Sequence, residues 1–248
     1  MEEKSKEEEE ASSKKTVAAY IKRCLFLIVG LCIMAVGVVL SIKAALGTSP
    51  ISSIPYVLNL ITGLTVGTAT IIVNTLIVLL QIALLRKRFK LIQLLQIPVC
   101  IVFGFMADAA MELLGWVVVH TYWQQWLVCI AGIVFVAFGV SFEVTAKVVT
   151  LPGEGMALAL CQLIPVKFGY VKIMVDVSLV VIAAALSLIF LHGLQGVREG
   201  TVAAAVFVGM LAKQLNRFMI PFGQKLFRSS EKRKKRQDRY RKIIEICQ

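Results

Sequence analysis

The sequence has little of the chemistry that enzymes and metalloproteins use. It contains only two histidines, His120 and His192, and six cysteines that form no CxxC pair. A Gly-rich phosphate loop, a nucleophile elbow and a paired-acid hydrolase signature are all missing, as is any metal-ligand spacing around the histidines. We therefore expect no enzymatic activity, no metal and no cofactor.

Charged residues are scarce as well. They make up 17% of the 248 residues, hydrophobic residues make up 58%, and mean hydropathy is +0.81. This composition is unlike that of soluble domains and predicts an all-α integral membrane protein in a lipid bilayer. A helix needs about 20 apolar residues to cross. Runs of this length predict six transmembrane helices, at residues 24–43, 66–85, 91–115, 126–147, 170–191 and 201–220.

Two shorter apolar stretches, residues 51–61 and 156–164, follow the first and fourth predicted spans. They are too short to cross a bilayer. We expect each to be a re-entrant helix that enters and leaves on the same side of the membrane.

The chain also repeats itself. Residues 30–80 align without a gap on residues 132–182, with 12 identities over 51 positions. Glycine and proline matches in one register carry the most weight, because apolar segments share Leu and Val by chance. These matches pair Gly30, Gly37, Pro50 and Gly67 with Gly132, Gly139, Pro152 and Gly169. A duplicated membrane unit is typical of transporters, which place their binding site between the halves.

The placement of the +12 net charge predicts topology rather than nucleic-acid binding. Basic residues cluster at 14–23, 86–90 and 217–242, whereas the predicted outer loops carry few cations, mainly Arg198. The positive-inside rule then places both termini in the cytoplasm. Each repeat has three crossings, an odd number, so the second repeat must be inverted. The predicted units are a cytoplasmic tail (1–23), repeat 1 (24–115), repeat 2 (126–220) and a basic tail (221–248).

The starts of the two short helices are the first candidate solute path. Thr48, Ser49 and Pro50 begin one short segment, with Ser49 or Thr48 as a helix cap and Pro50 in the first turn. Pro152, Gly153 and Glu154 begin the other. The exposed N–H groups of a helix N-terminus attract anionic or polar solutes. The alternative is that both are ordinary helix starts in interfacial loops.

Polar residues inside the spans are the second candidate path, since each is costly in lipid. Glu143, Asp176 and Lys213 fall towards the cytoplasmic side, and Asn74 and Asp108 towards the outer side. The repeat aligns Asn74 with Asp176 and, after a three-residue insertion, Asp108 with Lys213.

Simpler interpretations exist for two of these carboxylates. Glu143 and Lys147 are four residues apart and would form an ordinary helix-face ion pair. Asp108 shares a helix face with Glu112, which would favour proton coupling, but it would equally pair with Lys43 while Glu112 is merely solvated.

We make separate predictions for the two charged ends of the chain. The Glu-rich start, residues 2–10, is predicted to be disordered. The basic C-terminal tail would bind anionic lipid or serve as a solvated topology signal.

Several stretches resemble the YczE/YyaS/YitT family of bacterial membrane proteins. In the first half these are LGTSPISSIPY, GTATIIVN and RKRFKLIQLLQIPVCIVFGFMAD; in the second they are LPGEGMALAL, FGYVKIMVDVSLV and VREGTVAAAVFVG. The resemblance covers nearly all of residues 24–220. It implies a multi-pass protein of a bacterial plasma membrane and supplies no substrate.

The sequence therefore favours a secondary transporter or channel-like permease for a small polar solute. Two alternatives stay open: an accessory membrane protein that binds a partner complex, and a substrate-capturing subunit of a larger transporter.

Overall fold

The computed structural model describes residues 20–86, 88–89, 91–166, 168–223 and 225–226 together with their side chains. The described part of the chain is helical and contains no strand. The helices are α1 (Glu2–Lys43), α2 (Pro50–Thr62), α3 (Val66–Leu85), α4 (Gln96–Leu113), α5 (Tyr122–Ala146), α6 (Pro152–Cys161), α7 (Phe168–Leu191) and α8 (Glu199–Cys247), and two short 3-10 helices, Arg86–Arg88 and Leu91–Leu95, join α3 to α4. α1 begins at Glu2, so the prediction that the Glu-rich start is disordered is wrong, because its Glu, Lys and Ala residues favour a helix that continues into the first span. The side chains of the basic tail, on which the lipid prediction falls, lie outside the described residues.

Within the described residues, five segments are long and apolar enough to cross a membrane. They are Tyr20–Lys43, Val66–Leu85, Leu91–Leu113, Tyr122–Ala146 and Phe168–Leu191. These correspond to the first five predicted spans, so the chain is a multi-pass membrane protein. The sixth predicted span lies in α8 and is not among the five. Lys213, Asn216 and Arg217 dilute its apolar character, and this span stays a prediction.

Both short apolar stretches form helices. α2 begins at Pro50 and ends at Thr62, and its C-cap residue Gly63 has a φ of 72°, the left-handed conformation that glycine adopts without strain. α6 begins at Pro152, four residues before its predicted start, because proline fits the first turn of a helix, where no N–H is needed.

The closest helix packing joins α1 to α5. A Cβ at Gly37 would lie 2.6 Å from Val136 N and 2.8 Å from Gly132 O, and a Cβ at Gly139 would lie 2.5 Å from Met34 Cβ and 2.8 Å from Gly30 O. Because rising residue numbers on α1 meet falling numbers on α5, the two helices run antiparallel. The missing side chains let the backbones touch, as is common between helices in lipid.

The other helices are arranged around this pair. α8 packs on α5, and α4 packs on both α1 and α3. Each short helix packs on both halves of the chain, α2 on α7 and α3, and α6 on α3 and α7. The halves are therefore interlocked.

A methyl group at the α1–α5 contact should destabilise the protein. We expect Gly37→Ala to lower the free energy of unfolding by about 1–3 kcal/mol, because the backbone of α5 must move away from the added Cβ. SDS titration in mixed micelles, followed by circular dichroism, measures this. Gly193→Ala is the matched control, since the nearest described atom to a Cβ there, Leu191 O, lies 3.9 Å away. An equal loss in both variants would contradict the packing argument.

Candidate functional site

The N-termini of α2 and α6 meet. A Cβ built on Gly153, in the first turn of α6, would lie 1.7 Å from Cδ1 of Ile51, in the first turn of α2. Glycine at this position leaves room for the Ile51 side chain against the α6 backbone. Two helix N-termini, each with unpaired N–H groups and a positive dipole end, are thus brought side by side.

Hydroxyl groups surround the start of α2. Ser49 has the extended conformation of an N-cap residue but makes no side-chain cap bond. Its hydroxyl donates instead to Ser52 Oγ at 3.1 Å, Ser53 Oγ donates to Ser49 O at 3.0 Å, and Thr48 N donates to Gly196 O at 3.1 Å. Ser49 is thus the N-cap residue of α2, as one of the two predicted caps, but its side chain makes no cap bond. Neighbouring hydroxyls engage both candidates, since Thr48 Oγ1 donates to Ser53 Oγ at 3.3 Å.

A buried carboxylate supports the start of α6. Glu143, on α5, is 1% exposed and accepts a hydrogen bond from the N–H of Leu151, the residue before Pro152. The expected ion pair with Lys147 is wrong. α5 ends at Ala146, and Lys147 has a φ of 51°, so it does not continue the helix face that the pair requires.

Two glutamines, missed in the sequence, lie against the first turn of α6. Gln81, on α3, is 0% exposed, and its Nε2 donates to Pro152 O at 3.0 Å and to Gln96 Oε1 at 3.4 Å. Gln81 Oε1 has no hydrogen-bond partner in the described part of the chain. A Cβ at Gly155 would lie 2.8 Å from Gln96 Nε2, so glycine is needed here too. The sequence signal was an amide inside an apolar run, which a search for ionisable groups overlooks.

Charged residues from α6 and α7 complete a polar cluster. Lys172 Nζ and Asp176 Oδ1 form an ion pair of 2.6 Å on one face of α7. Glu154, in the first turn of α6, is close enough to Glu143, Lys172 and Asp176 to interact with their charges. Burial raises the pKa of the Glu154 carboxyl, the Lys172 ammonium opposes this, and the Asp176 carboxylate adds to it. We call Glu143, Glu154, Lys172 and Asp176 the charged cluster.

The repeat places uncharged polar residues at the corresponding positions of the first half. Ser41, Ser52, Thr70 and Asn74 align with Glu143, Glu154, Lys172 and Asp176, in that order. We call the first four the neutral cluster, and all of its members are buried. The two copies have thus kept polarity at these four places while differing in charge.

The remaining predicted site residues lie elsewhere. Asp108, on α4, accepts hydrogen bonds from Gly67 N and Thr65 Oγ1, both at 2.7 Å, at the start of α3. It does not pair with Lys43 as expected, because these closer donors occupy both carboxylate oxygens. Glu112 is exposed, and Lys213 is exposed on α8. In the part of the chain that the structure describes, no group of three or more His, Cys, Asp or Glu is placed to hold a metal ion.

Replacement of Glu143 should separate its two properties, charge and hydrogen-bond acceptance. We expect Glu143→Ala to lower the free energy of unfolding by about 1–3 kcal/mol relative to Glu143→Gln, because alanine leaves the Leu151 N–H unpaired whereas glutamine keeps an acceptor. SDS titration of the two variants measures the difference. Equal stabilities would mean that the Leu151 bond contributes nothing.

A model of the family DUF6198, described as a family of unknown function, matches residues 21–217. No curated protein and no solved structure matches the chain.

Proposed function

We propose that the chain is a secondary transporter or channel-like permease for a small polar solute. The chain belongs to the DUF6198 family of unknown function. The observation that carries the proposal is the contact between Ile51 and Gly153, which joins two helix starts beside buried polar side chains. Non-helical backbone is tolerated at membrane depth where protein or a polar cavity satisfies it. Such paired helix breaks are a common way to build a solute site.

The proposal includes an inverted repeat of two three-span units, with both termini in the cytoplasm. The contacts support it. Gly30 and Gly37 of α1 meet the repeat equivalents of each other, Gly139 and Gly132 of α5. The packing of α2 on α7 has its counterpart in that of α6 on α3. A two-fold axis that relates the two halves would produce both of these pairs of equivalent contacts.

Labelling from outside the cell tests this topology, including the sixth span. We expect a membrane-impermeant maleimide to react with Leu194→Cys in intact cells, and with Leu91→Cys and Lys225→Cys only after permeabilisation. All three positions are exposed. The native cysteines are replaced by alanine in the parent.

Two outcomes would contradict the topology. If α8 does not cross, Lys225→Cys reacts from outside. If Leu91→Cys reacts from outside, the inverted repeat is wrong, since the basic loop between α3 and α4 would be extracellular.

The charged cluster is the proposed solute or coupling-ion site. It has three carboxylates and one ammonium, so its excess of negative charge favours a cation or a proton. The N-terminus of α6 and the amides of Gln81 and Gln96 offer further polar contacts. Because the sequence shows no ATP site, we propose that a gradient supplies the energy, with one repeat rocking against the other.

Uptake into proteoliposomes tests this function. The probes are labelled amino acids, polyamines, dicarboxylates and monovalent cations, each under a proton or a sodium gradient. We expect uptake of one class, and a loss of about tenfold or more in Glu154→Gln, because a positioned charge contributes at least this much to binding. Glu112→Gln, an exposed carboxylate on α4, is the control and should transport normally. If no probe is taken up, the proposal loses its support.

A second candidate function is that of an accessory membrane protein, or of a substrate-capturing subunit that works with a separate ATPase. The observation that favours it is α7, the least buried of the five apolar segments, which offers a long surface to a partner. Purification from native membranes separates this candidate from the first, since a stoichiometric partner would accompany the chain. The proposal also includes binding of anionic lipid by the basic tail, a location in the bacterial plasma membrane, and kinship with the YczE/YyaS/YitT family.

A further inference from the structure

The two copies of the repeat differ most where their last two helices meet. In the first copy, α3 packs closely along α4. A Cβ on Gly67 would clash with Gly104 O, and Asp108 binds Gly67 N and Thr65 Oγ1. We call this contact, made by Gly67, Gly104, Asp108 and Thr65, the α3–α4 gate. It is closed.

The corresponding contact in the second copy is open. Gly169 and Gly209 align with Gly67 and Gly104, yet no described heavy atom beyond their own surroundings lies within 4 Å of a Cβ at either position. Among the described residues, α7 lacks the extended packing on α8 that α3 has on α4. α8 packs instead on α5, and to a smaller extent on α1. We call the pair of helices at Gly169 and Gly209 the α7–α8 gate.

Exposure of the polar clusters follows the same asymmetry. Thr70 and Asn74, behind the closed gate, are 7% and 5% exposed. Their equivalents beside the open gate, Lys172 and Asp176, have side chains that are 28% and 16% exposed. The charged cluster is therefore more exposed than the neutral cluster at its two α7 positions, whereas Glu143 stays buried.

We infer that these two contacts are the alternating gates of the protein, and that the structure represents the state open to the cytoplasm. In the other state α8 packs along α7 through Gly169 and Gly209, while α4 leaves α3 and the Asp108 hydrogen bonds break. The inference rests on the proposed function, and it assigns the opening and closing elements of that same site. Since close helix packing is either formed or broken, each gate has two discrete arrangements, as a switch requires.

Asp108 has a positioning role in this scheme. Its two hydrogen bonds exist only when the α3–α4 gate is closed, so they favour the state that exposes the charged cluster. Its equivalent in the second copy, Lys213, is exposed on α8 and makes no such contact within the described residues. Loss of the Asp108 carboxylate should therefore shift the population towards the opposite state without touching the charged cluster.

Distances between spin labels test the inference without a known solute. One pair of labels, Thr68→Cys with Phe105→Cys, reports on the α3–α4 gate, and the repeat-equivalent pair, Tyr170→Cys with Met210→Cys, reports on the α7–α8 gate. All four positions are exposed. Pulsed electron paramagnetic resonance in proteoliposomes, on a parent whose native cysteines are alanine, gives both distance distributions.

We expect a mainly short distance at the α3–α4 gate and a mainly long one at the α7–α8 gate, each with a minor population of the opposite kind. Asp108→Ala should raise both minor populations by about tenfold or more, because it removes two hydrogen bonds to a charged group and one such bond alone changes an equilibrium constant by about tenfold. Glu112→Ala removes a carboxylate one turn further along the same helix and should leave both distributions unchanged.

The inference is overturned if Asp108→Ala lengthens the first distance while the second stays the same, or if it alters neither. Should Asp108→Ala fail to fold, the parent still decides: a single long distance at the α7–α8 gate, in either orientation of a proton or sodium gradient, rejects it. Distances that exchange without any uptake would sustain the gates and count against transport. Solute uptake without a change in the two distances would support transport and count against the gates.

Discussion

The backbone contact between α1 and α5 is the constraint on which the rest of the structure depends. Gly37 and Gly139 let two apolar helices touch along their length, and lipid supplies no hydrophobic driving force that would replace such close packing. With α1 and α5 fixed antiparallel, the segments that follow them start at opposite ends of the pair. Each short helix then reaches across to the other half, and their N-termini meet at Ile51 and Gly153.

That meeting creates a second requirement, because a broken helix in a membrane leaves polar backbone groups without water. The chain meets it differently at each break. Before α2, Ser49 and Ser53 bond to the local backbone and to neighbouring hydroxyls. At the start of α6, the Glu143 carboxylate on α5 accepts from the backbone N–H of Leu151, and the Gln81 amide on α3 donates to the backbone oxygen of Pro152. The second solution buries more charge, and a buried charge is costly unless pairing and hydrogen bonds offset its desolvation, which makes such groups candidates for a functional site.

Much of this fold could be predicted from the sequence, because apolar composition and the spacing of repeated residues indicate where the helices lie. Five apolar runs gave five of the observed helices, and Gly30, Gly37 and Pro50 marked the repeat before any contact was known. The partners of single polar groups could not be predicted. Asp108 reaches a backbone N–H 41 residues away, and Glu143 serves a linker whose path depends on Lys147 leaving the helix. Such contacts depend on tertiary packing, which local spacing does not record.

The two copies of the proposed repeat differ in charge at a few aligned positions, and these differences make the symmetry of the proposed scaffold incomplete. Two identical repeats would have two equivalent states, with equal populations and identical sites facing each side. Substitution of Ser52 and Asn74 by Glu154 and Asp176 in the second copy gives one side a charged cluster. Lys213 stands where Asp108 stands in the first copy, so in the proposed scheme one gate alone has a carboxylate that holds it shut. Under the proposed scheme, charge divergence at a few aligned positions biases the scaffold towards one state and leaves unaltered the α1–α5 glycine packing, which both states share.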